Sequence, residues 1–158
     1  HSPTIGGQET WYVERQLKMF KSGVRGTHPK DTYGAQMRPM SMTLPTDQVI
    51  ADVAAYVNSL QPPAPKPTVE GDASAAEAGF ALCAPCHGPR GEGNVTFNAP
   101  RLIGQHDWYV VQQLVNFREG YRGTKPEDTY GMQMRPMAMT LMDDAAVRNM
   151  AAFIAGLK

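Results

Sequence analysis

This chain has few cysteines, no net charge and no long apolar run. Two cysteines and four scattered histidines do not form the four-ligand pattern of a structural zinc site. Fifteen basic and fifteen acidic side chains cancel, so charge gives no reason to expect nucleic acid or an anionic membrane surface as a partner. No apolar run approaches the roughly 18 to 20 residues that span a bilayer, so we predict no transmembrane segment.

Helical periodicity dominates the apolar residues that are present. They recur at intervals of three and four in a predicted helix over 106–118 and in a last helix that begins at Asp143. A helix that begins at Asp47 has the same pattern, and no segment alternates with period two for long enough to predict a sheet. The sequence therefore predicts an all-α fold.

The chain contains two copies of one unit, offset by 97 residues. Between Gly23–Leu44 and Gly120–Leu141, 17 of 22 positions are identical, which indicates duplication. A proline-rich stretch over 61–67 separates the copies and favours an extended, semi-rigid spacer. We expect a first unit over 1–61, a linker over 62–70 and a second unit over 71–158.

The motif Cys83-Ala84-Pro85-Cys86-His87 indicates the chemistry of the second unit. Two thiols at this spacing can bond covalently to the vinyl groups of a haem, and the histidine that follows can bind the iron. A thioredoxin-like redox pair would need a βαβ context that is not visible, and a simple disulfide would leave His87 unexplained. The motif therefore predicts one covalently attached haem c, with Cys83, Cys86 and His87 as its attachment residues.

A methionine-rich segment over 132–142 precedes the last helix, and we expect it to be a loop. It contains five thioethers: Met132, Met134, Met137, Met139 and Met142. Methionine often serves only as adaptable packing, but an iron bound by one histidine needs a ligand on its opposite face. Thioether sulfur is a soft ligand that stabilises ferrous haem, although ligand chemistry alone does not choose among the five.

From its attachment motif through the methionines to the last helix, the second unit resembles the class I cytochromes c. The tandem arrangement, with Pro100–Gln105 followed by Trp108 and Tyr109, is most similar to the two-haem cytochromes c of the c4 type. The resemblance implies two tandem class I domains. It also implies a methionine ligand seven residues before the leucine that introduces the last helix, which selects Met134, with Met137 as the second choice.

Other site residues follow from the same resemblance. The Pro100 carbonyl would accept a hydrogen bond from His87, although Pro100 is also interpretable as an ordinary loop proline. Arg101 and Arg135 would either neutralise haem propionates or remain solvated.

The first unit carries half of the same pattern. Met37 is the counterpart of Met134, but the counterpart of the attachment motif would have to lie upstream of His1. We therefore expect a first domain that lacks its N-terminal haem-attachment segment in this chain, within a longer dihaem protein. A second haem is expected there if the motif lies upstream, and a first unit that has lost its haem is the alternative.

An iron with protein ligands on both faces has no open position for a substrate, which predicts an electron carrier and not an enzyme. The expected partners are redox proteins such as an oxidase, a reductase or a dehydrogenase. Because haem is attached to such motifs outside the cytoplasm, we expect a periplasmic location and a leader upstream. The alternatives are the cytochrome part of a larger respiratory subunit, such as oxidase subunit II, and a peroxidase or ligand-sensing haem.

Overall fold

A computed structural model describes residues 2–158. His1, upstream of which the attachment motif of the first unit was expected, lies outside the described residues. Within 2–158 the chain forms helices and loops with no strand, apart from one isolated bridge between Asn94 and Ala99. The predicted all-α class is confirmed. The helices are α1 (Thr10–Ser22), α2 (Thr32–Met42), α3 (Asp47–Ser59), α4 (Ala73–Phe80), α5 (Ala84–His87), α6 (Asp107–Arg118), α7 (Thr129–Met139) and α8 (Asp144–Gly156).

The methionine-rich segments are helices, so the expectation of a loop was wrong. Asp128 begins α7 by accepting a hydrogen bond from the Gly131 backbone at 2.9 Å, and Asp31 begins α2 through Gly34 at 3.0 Å. A carboxylate cap satisfies a backbone donor that the first helical turn leaves unpaired. Methionine has a high helix propensity, and the several methionines of each helix offset the unfavourable propensity of its single proline.

The core of the second unit lies where α4 and α6 pack against α8. The apolar stripe of α8 faces inward, with Val147 and Ala151 fully buried. Phe80 of α4 meets Phe153 of α8 with their ring centroids 5.2 Å apart. Because α4 leads directly into the attachment motif, this packing fixes the motif against the core.

In the first unit, α1 packs against α2 and α3. Ile50 and Ala54 of α3 are fully buried, like their counterparts in α8. The duplicated apolar pattern therefore gives the same inward face in both units.

Asp107 attaches the end of the linker to the second unit. Its carboxylate accepts hydrogen bonds from the Thr68 hydroxyl at 2.8 Å and from the Val69 backbone at 2.7 Å. Burial opposes its ionisation, but these bonds and one from Trp108 outweigh that effect, so the pKa of Asp107 lies below its ordinary value. No helix within residues 2–158 is both long and apolar enough to cross a membrane.

Candidate haem-attachment site

The attachment motif occupies a single tight turn after α4. The Cys83 backbone donates to the Phe80 carbonyl at 2.8 Å, and the Cys83 carbonyl accepts bonds from Cys86 at 3.2 Å and from His87 at 2.9 Å. Gly88 ends the turn with a φ of 84°, which favours glycine. The backbone thus holds both sulfurs and the imidazole within one helical turn.

Both cysteines are free thiols, and they differ in exposure. Cys83 is partly buried against the core, whereas Cys86 is exposed. Burial raises the pKa of the Cys83 thiol, and the nearby Cys86 adds to that effect. A redox-active pair has the opposite perturbation, because its nucleophile works as a thiolate with a lowered pKa. The pair therefore resembles an attachment site more than a thioredoxin-like site.

His87 is buried, with 6% of its surface exposed. Its Nδ1 lies 2.8 Å from the carbonyl oxygen of Pro100, which can only accept, so the ring donates from Nδ1. Burial lowers the pKa of His87, although the Pro100 carbonyl acts in the opposite direction. A neutral ring with its proton on Nδ1 keeps the Nε2 lone pair for a metal. The predicted hydrogen bond is present, while the role of His87 as an iron ligand remains a prediction.

The loop between the motif and α6 folds back to bring Pro100 under His87. The Gly93 backbone donates to the His87 carbonyl at 2.7 Å, and the Leu102 backbone donates to the Gly91 carbonyl at 2.7 Å. Both glycines have positive φ values, 88° for Gly93 and 70° for Gly91. The glycine-rich sequence of this loop therefore serves to place the carbonyl that orients the imidazole.

The five methionines over 132–142 differ in burial. Met134 is partly buried and packs against the same core cluster as Cys83. Met137 lies three residues further along α7 and is 41% exposed. The others are still more exposed: Met132, Met139 and Met142. Residues three apart on a helix share a face, so Met134 and Met137 point to the same side and Met134 lies deeper.

Arg101 and Arg135 occupy different environments. Arg101 is exposed, and its Nε donates to the Ile103 carbonyl at 3.2 Å. Arg135 packs at the end of α6, where a Cβ added to Gly120 would lie 3.5 Å from its Nε. That Nε is buried without a hydrogen-bond partner in residues 2–158. Whether either arginine binds a propionate remains a prediction.

The sequence patterns did not predict a role for a second pair of arginines. Arg25 and Arg122, buried at the contact between the units, bond to two glutamines, Gln16 and Gln113. The signal was available, because the duplication preserves both residue types at both counterpart positions. What the sequence did not reveal is that the two copies meet at this surface.

The donors fit a haem better than a bare metal ion. No group of three or more histidine, cysteine, aspartate or glutamate side chains within the described chain is arranged to hold an ion. One buried imidazole and the thioethers of α7 match the axial ligands of haem c, and the two cysteines match its points of covalent attachment. The unpartnered Nε atoms of Arg25, Arg122 and Arg135 are buried donors that suit the acidic groups of such a cofactor.

Comparisons with known proteins agree with this geometry. A family model described as Cytochrome c matches residues 73–158. Cytochrome c4 of Azotobacter vinelandii is 37% identical over 172 residues, which covers 98% of this chain and 76% of the relative. The thiosulfate dehydrogenase electron acceptor of Thiomonas intermedia (strain K12) is 34% identical over 135 residues, which covers 78% and 58%. The structure of cytochrome c4 from Acidithiobacillus ferrooxidans has a TM-score of 0.81 at 29% identity, over 98% of this chain and 88% of that chain. The expected tandem fold is confirmed.

Proposed function

We propose, from the premise that this chain belongs to the cytochrome c family and carries electrons on covalently bound haem c, that Cys83, Cys86 and His87 hold the haem of the second unit. The observation that supports this most directly is the buried His87 ring, which is hydrogen-bonded to Pro100 and held in the same turn as Cys83 and Cys86. Haem iron bound in this way takes up and releases one electron at a time.

Each residue of the motif has a separate task. Cys83 and Cys86 would form the two covalent links to the haem, one from a partly buried position and one from the surface. His87 would bind the iron through Nε2, because its Nδ1 proton is donated to the Pro100 carbonyl. That hydrogen bond fixes the ring orientation and makes the imidazole a stronger donor. The surrounding core excludes water from the imidazole.

Met134 is the methionine that we assign as the thioether that would bind the iron together with His87. It is the least exposed thioether of α7, and it packs against the same core as Cys83. A sulfur held there needs little movement on electron transfer, because the surrounding side chains already restrict it. Met137 lies on the same helical face and is the alternative.

The first unit is assigned the corresponding role for a second haem, with Met37 as its thioether ligand. Its α2 has the same cap and the same internal proline as α7, and its three methionines match three of the four in α7. We retain the unit boundaries 1–61, 62–70 and 71–158. Contact between the units keeps the two proposed sites in one fixed arrangement, which suits electron transfer from one to the other.

The partners are proposed to be redox proteins, and the location periplasmic. A relative named as a thiosulfate dehydrogenase electron acceptor supports a dehydrogenase as the donor. The names of the relatives describe cytochromes and electron acceptors, so a peroxidase or a sensor is not favoured. Rapid reduction of the oxidised holoprotein by a thiosulfate dehydrogenase, but not by an unrelated dehydrogenase, would support this donor class. Equal rates with both would contradict it.

A redox titration of the holoprotein tests the proposed site. We expect one electron for each haem and a Met-to-iron charge-transfer band in the oxidised form. Carbon monoxide should not bind the reduced form without denaturant, because His87 and Met134 would both hold the iron. Rapid binding of carbon monoxide, together with the absence of the band, would show an open iron and would contradict the carrier site.

A further inference from the structure

Two buried arginines form the centre of the contact between the units. Arg25 is 6% exposed and Arg122 is 8% exposed, and their positions differ by the 97-residue repeat. Arg25 stacks on Phe20 at 4.4 Å from the ring centroid, and Arg122 stacks on Phe117 at 4.5 Å. Each unit therefore presents the same stacked guanidinium to the other.

The two guanidinium groups share two acceptors in a closed ring. Arg25 donates to Gln16 Oε1 at 2.7 Å and to Gln113 Oε1 at 2.9 Å. Arg122 donates to Gln113 Oε1 at 2.9 Å and to Gln16 Oε1 at 2.9 Å. Gln16 and Gln113 are also counterparts in the repeat. The ring is therefore unchanged when the two units exchange places.

A second pair of hydrogen bonds repeats this symmetry at the edge of the contact. Gln8 Nε2 donates to the Arg101 carbonyl at 3.1 Å, and Gln105 Nε2 donates to the Thr4 carbonyl at 2.8 Å. The glutamines are counterparts, and so are the two acceptor positions. In an isologous contact residue i of one body meets residue j of the other and j meets i, as happens here. The surface is self-complementary.

Three further contacts between the units are not duplicated by the repeat. His28 of the first unit stacks on Tyr121 of the second, with centroids 4.5 Å apart and planes 14° from parallel. Lys125, the counterpart of His28, instead donates to the Gly23 carbonyl at 2.6 Å. Asn116 donates to Asp31 at 3.2 Å. A pair of first units or a pair of second units would lose these contacts, so they favour pairing a first unit with a second.

The connection between the units contains no helix, although Leu60 and Pro62 pack against Gly6 of the first unit. The helix α3 ends at Ser59, and the next residues bound firmly to the second unit are Thr68 and Val69, through Asp107. The residues over 60–67 lie outside the helices and are mostly exposed. One unit can therefore leave its neighbour without unfolding a helix.

We propose that this contact surface accepts a second copy of the chain, so that two copies exchange units and the first unit of each pairs with the second unit of the other. The exchanged pair keeps the arginine–glutamine ring and every contact specific to unlike units. It is closed by twofold symmetry, so it stops at a dimer and does not grow into a filament. The relative amounts of the closed chain and the exchanged dimer depend on concentration and on the reach of the linker.

Deleting Pro62–Pro65 from the holoprotein tests this surface. An extended chain rises about 3.1 Å per residue, so the deletion removes roughly 12 Å of reach. We expect size-exclusion chromatography with light scattering to show a twofold increase in mass, because a shorter linker favours pairing between chains over pairing within one chain. Adding Gln16→Ala and Gln113→Ala should return the shortened chain to a monomer. Adding Gln48→Ala, on the exposed surface of α3, should leave the dimer intact.

A shortened chain that keeps its haem spectrum but stays monomeric at every concentration would overturn the proposal, as would a dimer that survives both glutamine changes. If the shortened chain does not fold, the proposal is tested on the holoprotein with its natural linker. Isotope-labelled and unlabelled holoprotein are mixed just below the unfolding transition, returned to buffer at high concentration and examined by native mass spectrometry. Dimers of mixed mass support exchange, and monomers alone contradict it. Neither measurement depends on electron transfer.

Discussion

The last helices of the two units have corresponding sequences and different surroundings. In the second unit Phe153 of α8 meets Phe80 of α4 at 5.2 Å. In the first unit its counterpart, Tyr56 of α3, is 66% exposed. The inner faces are alike, because Ile50 and Val147 are both fully buried. The comparison shows that the repeat determines the inner face of each helix, while α4 determines the burial of the outer face.

The proposed iron ligands differ in the same direction. Met37 is 40% exposed, whereas Met134 is partly buried against a core that includes residues of α4. The helices α2 and α7 have the same caps and nearly the same sequence, so local structure does not explain this difference. Packing near the attachment segment gives Met134 its more protected position.

Removing the two thiols of the second unit should have the largest effect of the changes proposed here, because it should remove the haem from that unit. We expect Cys83→Ala with Cys86→Ala to give no stable haem in the second unit, because no covalent link remains. Haem content per polypeptide, measured by absorbance of the denatured haem and by intact mass, checks this expectation. A fully loaded double variant would refute attachment at these two residues.

The thioether assignment is tested by paired substitutions in the two units. We expect Met134→Ala to abolish the Met-to-iron charge-transfer band of the second haem and to lower its potential, since a soft ligand that favours ferrous iron is lost. Met37→Ala should do the same for a haem in the first unit. Met137→Ala is the matched control and should leave the band. A normal band in Met134→Ala would move the assignment to Met137.

The symmetric ring predicts equal effects in the two units. Gln16→Ala and Gln113→Ala should each lower the free energy of unfolding by about 2 to 3 kcal/mol, because each removes two hydrogen bonds from charged donors. Denaturant unfolding of the holoproteins measures both. A loss confined to one variant would show that the contact is not shared equally.

Asp107 is an asymmetric feature, because its counterpart in the first unit is Thr10. Its lowered pKa means that its contribution is present above the pKa of the unfolded chain, about 3.9, and is lost as pH falls through the folded value. We expect Asp107→Asn to cost about 1 to 3 kcal/mol near neutral pH and to flatten the fall in stability below about pH 4. Unfolding measured as a function of pH is the check, and unchanged acid sensitivity would contradict this role.

The smallest effects are expected at two exposed ion pairs. Asp47 binds Lys18 at 2.9 Å, and its counterpart Asp144 binds Arg118 at 2.6 Å. Both carboxylates are more than two thirds exposed, so solvent screens the attraction. Asp47→Asn and Asp144→Asn should leave the melting temperature unchanged within error. A clear drop in either would show that the pair takes part in a larger network.

Local sequence patterns predicted the features that depend on neighbouring residues. The duplication and the helices α3, α6 and α8 were predicted from the residues, whereas the hydrogen bond from His87 to Pro100 was expected from the family resemblance. The helical state of the methionine segment was not predicted, although Asp128 stands at the position of an N-cap for it. The ring of Arg25 and Arg122 and the attachment of Thr68 to Asp107 join residues distant in sequence. The periodicity of apolar residues within a helix predicts which face is buried, but it does not predict which surfaces of two separate units contact each other.

The most direct test of the account is the mass of the peptide that contains Cys83, Cys86 and His87, cut from the natural protein under denaturing conditions. Covalent attachment predicts that this peptide carries the full mass of one haem on its two sulfurs. An unmodified peptide with two alkylatable thiols would contradict the account, because the iron would then have no anchor at this site.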